Sequence, residues 1–165
     1  MNNSIELKDL YKLQEDLDLE IARLHGVSYE TTHSRRLLAL IIELGELANE
    51  TRCFKYWSNK GPSPKERIVD EYADGLHFLL SLGIPLKVKK TLYTPVKSSL
   101  DLVEQFHDLY KKAIALKDSY DIAHYEDAMQ SYLNLAYSLD MSEEDIRDCY
   151  LAKLKVNHVR QDTNY

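Results

Sequence analysis

The stretch Leu40–Glu50, LIIELGELANE, decides the fold class of this chain. Its apolar residues recur three and four positions apart, which is the spacing that places side chains on one face of an α-helix. Glu43, Glu46 and Glu50 fall within an arc of about 60° that borders this apolar face. The stretch therefore predicts an amphipathic helix that carries carboxylates at the edge of a buried surface.

Most of the remaining chain has the same helical spacing, with only 5 Gly and 4 Pro and no alternating strand pattern. A capping box at Ser63–Glu66, a Thr94-Pro95 start and an N-cap at Ser142 mark three helix beginnings. The expected helices cover approximately residues 4–24, 32–54, 63–83, 94–116, 121–139 and 142–156. The sequence predicts an all-α fold, a compact helical bundle of about five to six helices in a single domain over residues 1–165.

The composition narrows the class of function. A net charge of -6 gives no overall basic surface for duplex nucleic acid and favours cations as partners. There is no apolar run of about 18 residues and no basic-then-apolar leader, so we expect no membrane span, no secretion signal and a cytoplasmic protein. Cys53 and Cys149 lack metal-ligand spacing, and packing is their expected role.

The third expected helix repeats the acid edge of the second, with Glu71 and Asp74 three residues apart beside its own apolar stripe. If the two helices pack antiparallel, four or five carboxylates converge, and they repel one another unless a cation is present. Carboxylate oxygens suit Mg²⁺, which shares its coordination with substrate phosphates. The residues favour a Mg²⁺–phosphate site, although acids three apart also occur on solvated helix faces.

Two motifs together resemble a known superfamily. "ELGELANE" followed by "DEYADGLHFLLSLG" is similar to the paired E-x-x-E and E-x-x-D signature of the all-α NTP pyrophosphatases, which include MazG-like proteins and dimeric dUTPases. "LQEDLDLEI", "RCFKYWS" and "YLAKLKVNHVRQD" point to the dimeric dUTPases, of phage or bacterial type. Residues 94–139 match only in being helical. The resemblance implies a Mg²⁺-dependent homodimer that hydrolyses dUTP, and commonly dUDP, to dUMP.

The resemblance also implies roles for individual residues. Glu43, Glu46, Glu71 and Asp74 would bind Mg²⁺, with Glu43 or Glu46 as the catalytic residue that places or deprotonates the attacking water; Glu50 has no assigned role. The implied substrate contacts are Gln14 and Asp18 on the nucleoside side, Lys55 and Trp57 after the second helix, and Lys153, Asn157, Arg160 and Gln161 in the tail.

Three smaller expectations accompany these roles. His77 is expected at the surface or behind the metal ligands. Phe78 could wall the base pocket, although packing against other side chains is its expected role. Asn164 replaces the Gly that relatives often carry before the final Tyr, and Asn tolerates the positive φ of such a turn.

Three alternatives remain open at this point. A broader MazG-like NTP pyrophosphatase would share the acids without needing Gln14 or the tail pattern. A di-iron carboxylate bundle would use Glu-x-x-His pairs such as Glu104–His107 and the weaker Asp121–His124. A phage dUTPase could also bind a repressor protein, through residues 94–139.

Overall fold

The computed structural model describes residues 4–165. Its elements are β1 Ile5–Glu6, α1 Lys8–His25, α2 Tyr29–Thr51, α3 Lys65–Gly83, β2 Leu92–Tyr93, α4 Leu102–Ala115, α5 Ile122–Ser138 and α6 Glu143–Asp162. The two short strands pair antiparallel, with Ile5 opposite Tyr93 and Glu6 opposite Leu92. The predicted all-α bundle is confirmed. None of the described helices combines the length and apolar character needed to cross a membrane.

Helix α3 lies at the centre of the bundle, and α2 packs along it more extensively than any other element. Arg36, early in α2, donates to the carbonyl of Ser81, late in α3, at 2.9 Å. Arg67, early in α3, donates to Glu50, late in α2, at 3.3 Å. These contacts show that α2 and α3 run antiparallel, so their acid edges face the same region.

Buried tyrosines fill the core between α3 and α5. The ring of Tyr132 stacks on that of Tyr72 with centroids 4.4 Å apart, and its hydroxyl donates to the Tyr72 carbonyl at 2.6 Å. A Cβ at Gly75 would lie 2.3 Å from the Tyr132 hydroxyl oxygen, and one at Gly83 would lie 2.4 Å from the Tyr125 ring. Both glycines therefore let a tyrosine reach the backbone of α3, and Tyr125 and Tyr132 are core residues.

The first two helices differ from their expected bounds because neighbouring backbone groups find other partners. The Leu7 amide donates to the Thr91 carbonyl at 2.9 Å, which extends the sheet and delays α1 until Lys8. A capping box at Ser28 starts α2 earlier than expected, and Arg52, at φ 58°, ends it.

The predicted cap of α3 and the predicted start of α4 are wrong. Pro64 occupies the N-cap of α3 and makes no side-chain cap, so the capping box expected at Ser63–Glu66 does not form. Thr94-Pro95 does not start α4; Asp101 caps it by accepting from the Glu104 amide at 2.9 Å.

For the last helix, α6, the predicted start is confirmed and the predicted end is wrong. The Ser142 cap is confirmed, with Asp145 completing a capping box. The tail expected after residue 156 continues as helix to Asp162. Asn164 has φ 56°, as its side chain allows.

Candidate active site

Three glutamates converge where α2 and α3 pack together. One carboxylate oxygen from each of Glu43, Glu46 and Glu71 lies within 4.8 Å of the others. Glu43 and Glu46 are one helical turn apart on α2, and the antiparallel packing brings Glu71 of α3 beside them. Glu71 is buried, Glu43 is partly buried and Glu46 is exposed. The cluster therefore forms a cup that is open on the Glu46 side.

Burial and like charges both act on Glu43. Burial, followed by the negative charges of Asp74, Glu46 and Glu71, raises the pKa of Glu43 to about 7. Its Oε2 atom is buried and has no hydrogen-bond partner among residues 4–165. A buried polar atom normally has a partner, and oxygen ligands are those that Mg²⁺ prefers. The donor set of the cup thus fits a hard divalent cation.

Asp74 borders the cup, but its carboxylate is already paired. The Lys153 ammonium donates to Asp74 at 2.9 Å and lies 2.9 Å from Asp70. Burial raises the pKa of Asp74, and the bond and charge of Lys153 oppose that rise. Lys153 is 8% exposed, so it is a buried cation that substitutes for solvent around Asp74.

Glu50 turns to the outer edge of the acid cluster. Arg67 lies 3.3 Å from Glu50 and 3.6 Å from Glu71, so one guanidinium bridges the two acids. A hydrogen bond from Ser63, followed by Arg67, lowers the pKa of Glu50. The acid that the resemblance leaves unassigned therefore pairs with Arg67 and holds it against Glu71.

A cavity of about 740 Å³ opens beside the acid cup, a size typical of small-molecule sites. Its walls come from α1, α2, α3 and α6, with Leu17, Ile21 and Phe78 on the apolar side. The residues from the expected site that line it are Gln14, Asp18, Glu43, Glu46, Asp74, Asn157, Arg160 and Gln161. The fold thus joins a carboxylate end and an apolar end in one cavity.

Four residues of the expected site do not line this cavity. Glu71 faces a smaller groove of about 430 Å³ that it shares with Glu46 and Glu50. Lys153 reaches Asp74 from α6. Lys55 and Trp57 follow the end of α2; Trp57 is 65% exposed and packs edge-on against Tyr56, with centroids 5.2 Å apart.

A buried polar network at the apolar end was only partly visible in the sequence. The Gln14 amide nitrogen donates to Asp18 at 2.9 Å, and its oxygen lies 2.7 Å from Nδ1 of His77. Asp18 also accepts from Ser81 at 2.7 Å and from Tyr29 at 3.1 Å. His77 is 4% exposed, so of its two expected positions, at the surface or behind the metal ligands, the surface one is wrong. In the sequence, the spacing of three residues between Asp74 and His77 could have indicated that His77 lies on the inner side of α3.

The di-iron alternative is not supported by the structure. The side chains of Glu104 and His107 are 58% and 71% exposed, and those of Asp121 and His124 are about half exposed. Within residues 4–165, the acids that converge on a single point are glutamates, without a histidine. Both Glu/Asp-x-x-His pairs are surface features of their own helices.

Comparison with known proteins agrees with this geometry. A family model described as dUTPase matches residues 6–165, nearly the whole chain. No curated protein matches the chain. The matched region includes every residue of the acid cup and of the cavity beside it. The chain therefore belongs to the dimeric, all-α dUTPase family, and it is a dUTP diphosphatase that hydrolyses dUTP.

Proposed function

We propose that the acid cup holds Mg²⁺ for the hydrolysis of dUTP to dUMP, and that the protein also hydrolyses dUDP. The observation that supports this most directly is Glu43, whose buried oxygen lacks a partner among the described residues. Its pKa of about 7, raised by burial and three neighbouring acids, marks a site arranged for a cation.

Glu43, Glu46, Glu71 and Asp74 would hold the ion. When bound, Mg²⁺ would neutralise phosphate charge and lower the pKa of a water molecule. Glu46 is the exposed member of the cup and borders both the cavity and the outer groove. It is therefore the residue best placed to orient the attacking water and accept its proton, with Glu43 next to it.

Helix α6 supplies the residues that we assign to the phosphates. Asn157 lines the cavity, and Arg160 and Gln161 line it one turn later in α6. A guanidinium makes charge-assisted hydrogen bonds to phosphate oxygens, which places Arg160 at the anionic end of the substrate. Lys153 contacts Asp74 and Asp70, which leaves one of its three N–H groups for a phosphate.

At the other end, Gln14 and Asp18 would contact the base, with Phe78 and Ile21 as apolar walls. Gln14 carries an amide and Asp18 a carboxylate, which together supply a donor and an acceptor. This is the arrangement that a uracil edge requires.

Lys55 and Trp57 complete the proposed substrate contacts. For this role, segment 52–64, of this chain or of a partner copy, must approach the cavity beside the acid cup. Trp57 is the single Trp of the chain, so its fluorescence reports on that approach. A non-hydrolysable dUTP analogue should change the emission. No change would remove Trp57 from the substrate contacts.

We also infer that the protein is a homodimer. Leu38 and Ile42, four residues apart on α2, are 57% and 51% exposed, an apolar stripe of the kind that interfaces cover. Sedimentation equilibrium with Leu38→Glu and Ile42→Glu tests this stripe, with the exposed Leu24→Glu as the control. We also propose a cytoplasmic location and a repressor partner that binds residues 94–139.

The central test is hydrolysis of dUTP with Mg²⁺ by the parent and by Glu46→Gln. We expect a loss of at least about 100-fold in the variant, as for a group that places the nucleophile. Activity that survives EDTA or the substitution would defeat the mechanism. A panel with dCTP and dTTP separates a dUTPase from the broader MazG-like activity, which would use them equally well.

A further inference from the structure

We propose that His77 and Tyr150 are positioning residues for base specificity. They fix the orientation of the Gln14 amide so that Gln14 offers the base a hydrogen-bond donor beside the acceptor Asp18. This inference rests on the proposed role of Gln14 and Asp18 in contacting the base.

Asp18 sets one end of the arrangement. Its Oδ2 accepts from the hydroxyls of Ser81, at 2.7 Å, and Tyr29, at 3.1 Å, and its Oδ1 accepts from Gln14 at 2.9 Å. Burial raises the pKa of Asp18, while these three donors and the positive charge of Arg36 favour its ionised form. Because a carboxylate only accepts, the nitrogen of the Gln14 amide must face it, and the amide oxygen must point away.

His77 and Tyr150 occupy the other end. The Gln14 oxygen lies 2.7 Å from Nδ1 of His77 and accepts from the Tyr150 hydroxyl at 3.1 Å; that hydroxyl also lies 3.3 Å from the Leu10 carbonyl. The single hydrogen of the Tyr150 hydroxyl is shared between these two oxygens, with the Gln14 oxygen at the shorter distance. The amide oxygen thus faces one donor from Tyr150 and one from His77, which uses both of its lone pairs. The His77 ring stacks on Tyr150 with centroids 4.1 Å apart and an interplanar angle of 16°, which restrains its rotation.

The tautomer of His77 follows from these contacts. Burial lowers its pKa to about 4, so the ring is neutral at pH 7 and carries one N–H. Its Nε2 lies 3.2 Å from the Tyr150 carbonyl, and its Nδ1 lies 2.7 Å from the Gln14 oxygen. Both oxygens only accept, so they compete for the single hydrogen of the ring. The shorter contact, to Gln14, takes it on Nδ1, and Nε2 then faces the Tyr150 carbonyl without a hydrogen. The Nδ1–H tautomer of His77 and the observed orientation of the Gln14 amide therefore require each other.

With its oxygen saturated and one N–H bound to Asp18, Gln14 keeps a single N–H for a ligand. Gln14 and Asp18 both line the cavity. A donor beside a carboxylate matches O4 and N3–H of uracil. Cytosine presents an amino group and a bare nitrogen at these positions, so it would set donor against donor and acceptor against acceptor. A reversed amide beside a protonated Asp18 would favour cytosine instead, which is why the orientation decides specificity.

The test is the ratio of kcat/KM for dUTP to that for dCTP. Tyr150→Phe removes one donor to the Gln14 oxygen and keeps the stacked ring, so the ratio should fall about 10-fold or more. His77→Leu should lower it further. His77→Asn, whose side-chain amide can donate where Nδ1–H does, should restore part of it. Tyr72→Phe is the matched control: it removes an equally buried hydroxyl, which donates to Tyr132 at 3.1 Å, and should leave the ratio unchanged.

The tautomer provides a readout that does not depend on activity. The ¹⁵N shifts of the His77 ring should show hydrogen on Nδ1 in the folded protein. Hydrogen on Nε2 would overturn the inference, because the Gln14 amide would then have to reverse. An unchanged dUTP/dCTP ratio in folded Tyr150→Phe and His77→Leu would also overturn it.

Gln14→Ala tests the contact between Gln14 and the base separately from the positioning of Gln14 by His77 and Tyr150. If the dUTP/dCTP ratio of kcat/KM falls in Gln14→Ala but not in the His77 and Tyr150 variants, Gln14 contacts the base and the positioning role is refuted. If the ratio survives in Gln14→Ala, Gln14 does not contact the base, and both the contact and its positioning are refuted.

Discussion

Replacing Glu43 by glutamine should stabilise the metal-free protein and inactivate it at the same time. The substitution keeps the shape of the side chain and removes one negative charge from the centre of the cup. Burial, with the charges of Asp74, Glu46 and Glu71, raises the pKa of Glu43 from 4.5 to about 7. At pH 8 the parent must therefore ionise Glu43 against these neighbours, whereas the glutamine is neutral.

The magnitude follows from linkage between protonation and folding. A folded-state pKa above the unfolded value contributes stability that is complete below about pH 4.5 and is lost as the pH rises through about 7. Each pKa unit corresponds to about 1.4 kcal/mol, and we expect about 2 kcal/mol at pH 8 after allowing for the partial exposure of Glu43. In a domain of this size, that raises the Tm of the variant by about 4–8 °C.

Thermal unfolding in EDTA at pH 5 and pH 8 measures the effect. The Tm advantage of Glu43→Gln should be small at pH 5 and large at pH 8, and Glu15→Gln, at an exposed position of α1, should show neither. Added Mg²⁺ should raise the Tm of the parent and reduce the gap, because a cation removes the repulsion. A variant with the same Tm as the parent at pH 8, or a Tm difference independent of pH, would show that Glu43 does not destabilise the folded protein by ionising.

Three further predictions concern the cup and the helix caps. The Mg²⁺ affinity of the parent should weaken as the pH falls through about 7, because Glu43 must lose its proton to bind the ion; calorimetry that finds no pH dependence would contradict this. Lys153→Met should lower the free energy of unfolding by about 2 kcal/mol, because it leaves Asp74 partly buried without its partner; an unchanged urea midpoint would count against that role. Asp101→Ala should cost about 1 kcal/mol as a lost cap, measured in the same way, and Thr94→Ala should cost less; the opposite order would contradict the observed start of α4.

Helices α2 and α3 and the start of α6 were predictable from the sequence because they depend on residues that are neighbours along the chain. Helical periodicity identifies α2 and α3, and the three-residue spacing of Glu43 and Glu46 places both on one face. Ser142 and Asp145 form their capping box from neighbouring residues, so the start of α6 is also local. The start of α4 is not, because β2 pairs with β1 just before Thr94, and the chain turns into a helix only at Asp101.

The sequence alone specified which acids share a helix face, Glu43 with Glu46 on α2 and Glu71 with Asp74 on α3, because this depends only on helical periodicity. That Glu71 joins Glu43 and Glu46 depends on the antiparallel packing of the two helices. What each acid does was decided by tertiary packing: Glu50 pairs with Arg67, Asp74 with Lys153, and Glu43 is left without a partner among the described residues. The contact between Gln14 and His77 joins residues 63 positions apart. Such contacts depend on how α1, α3 and α6 pack together, and no local spacing encodes that arrangement.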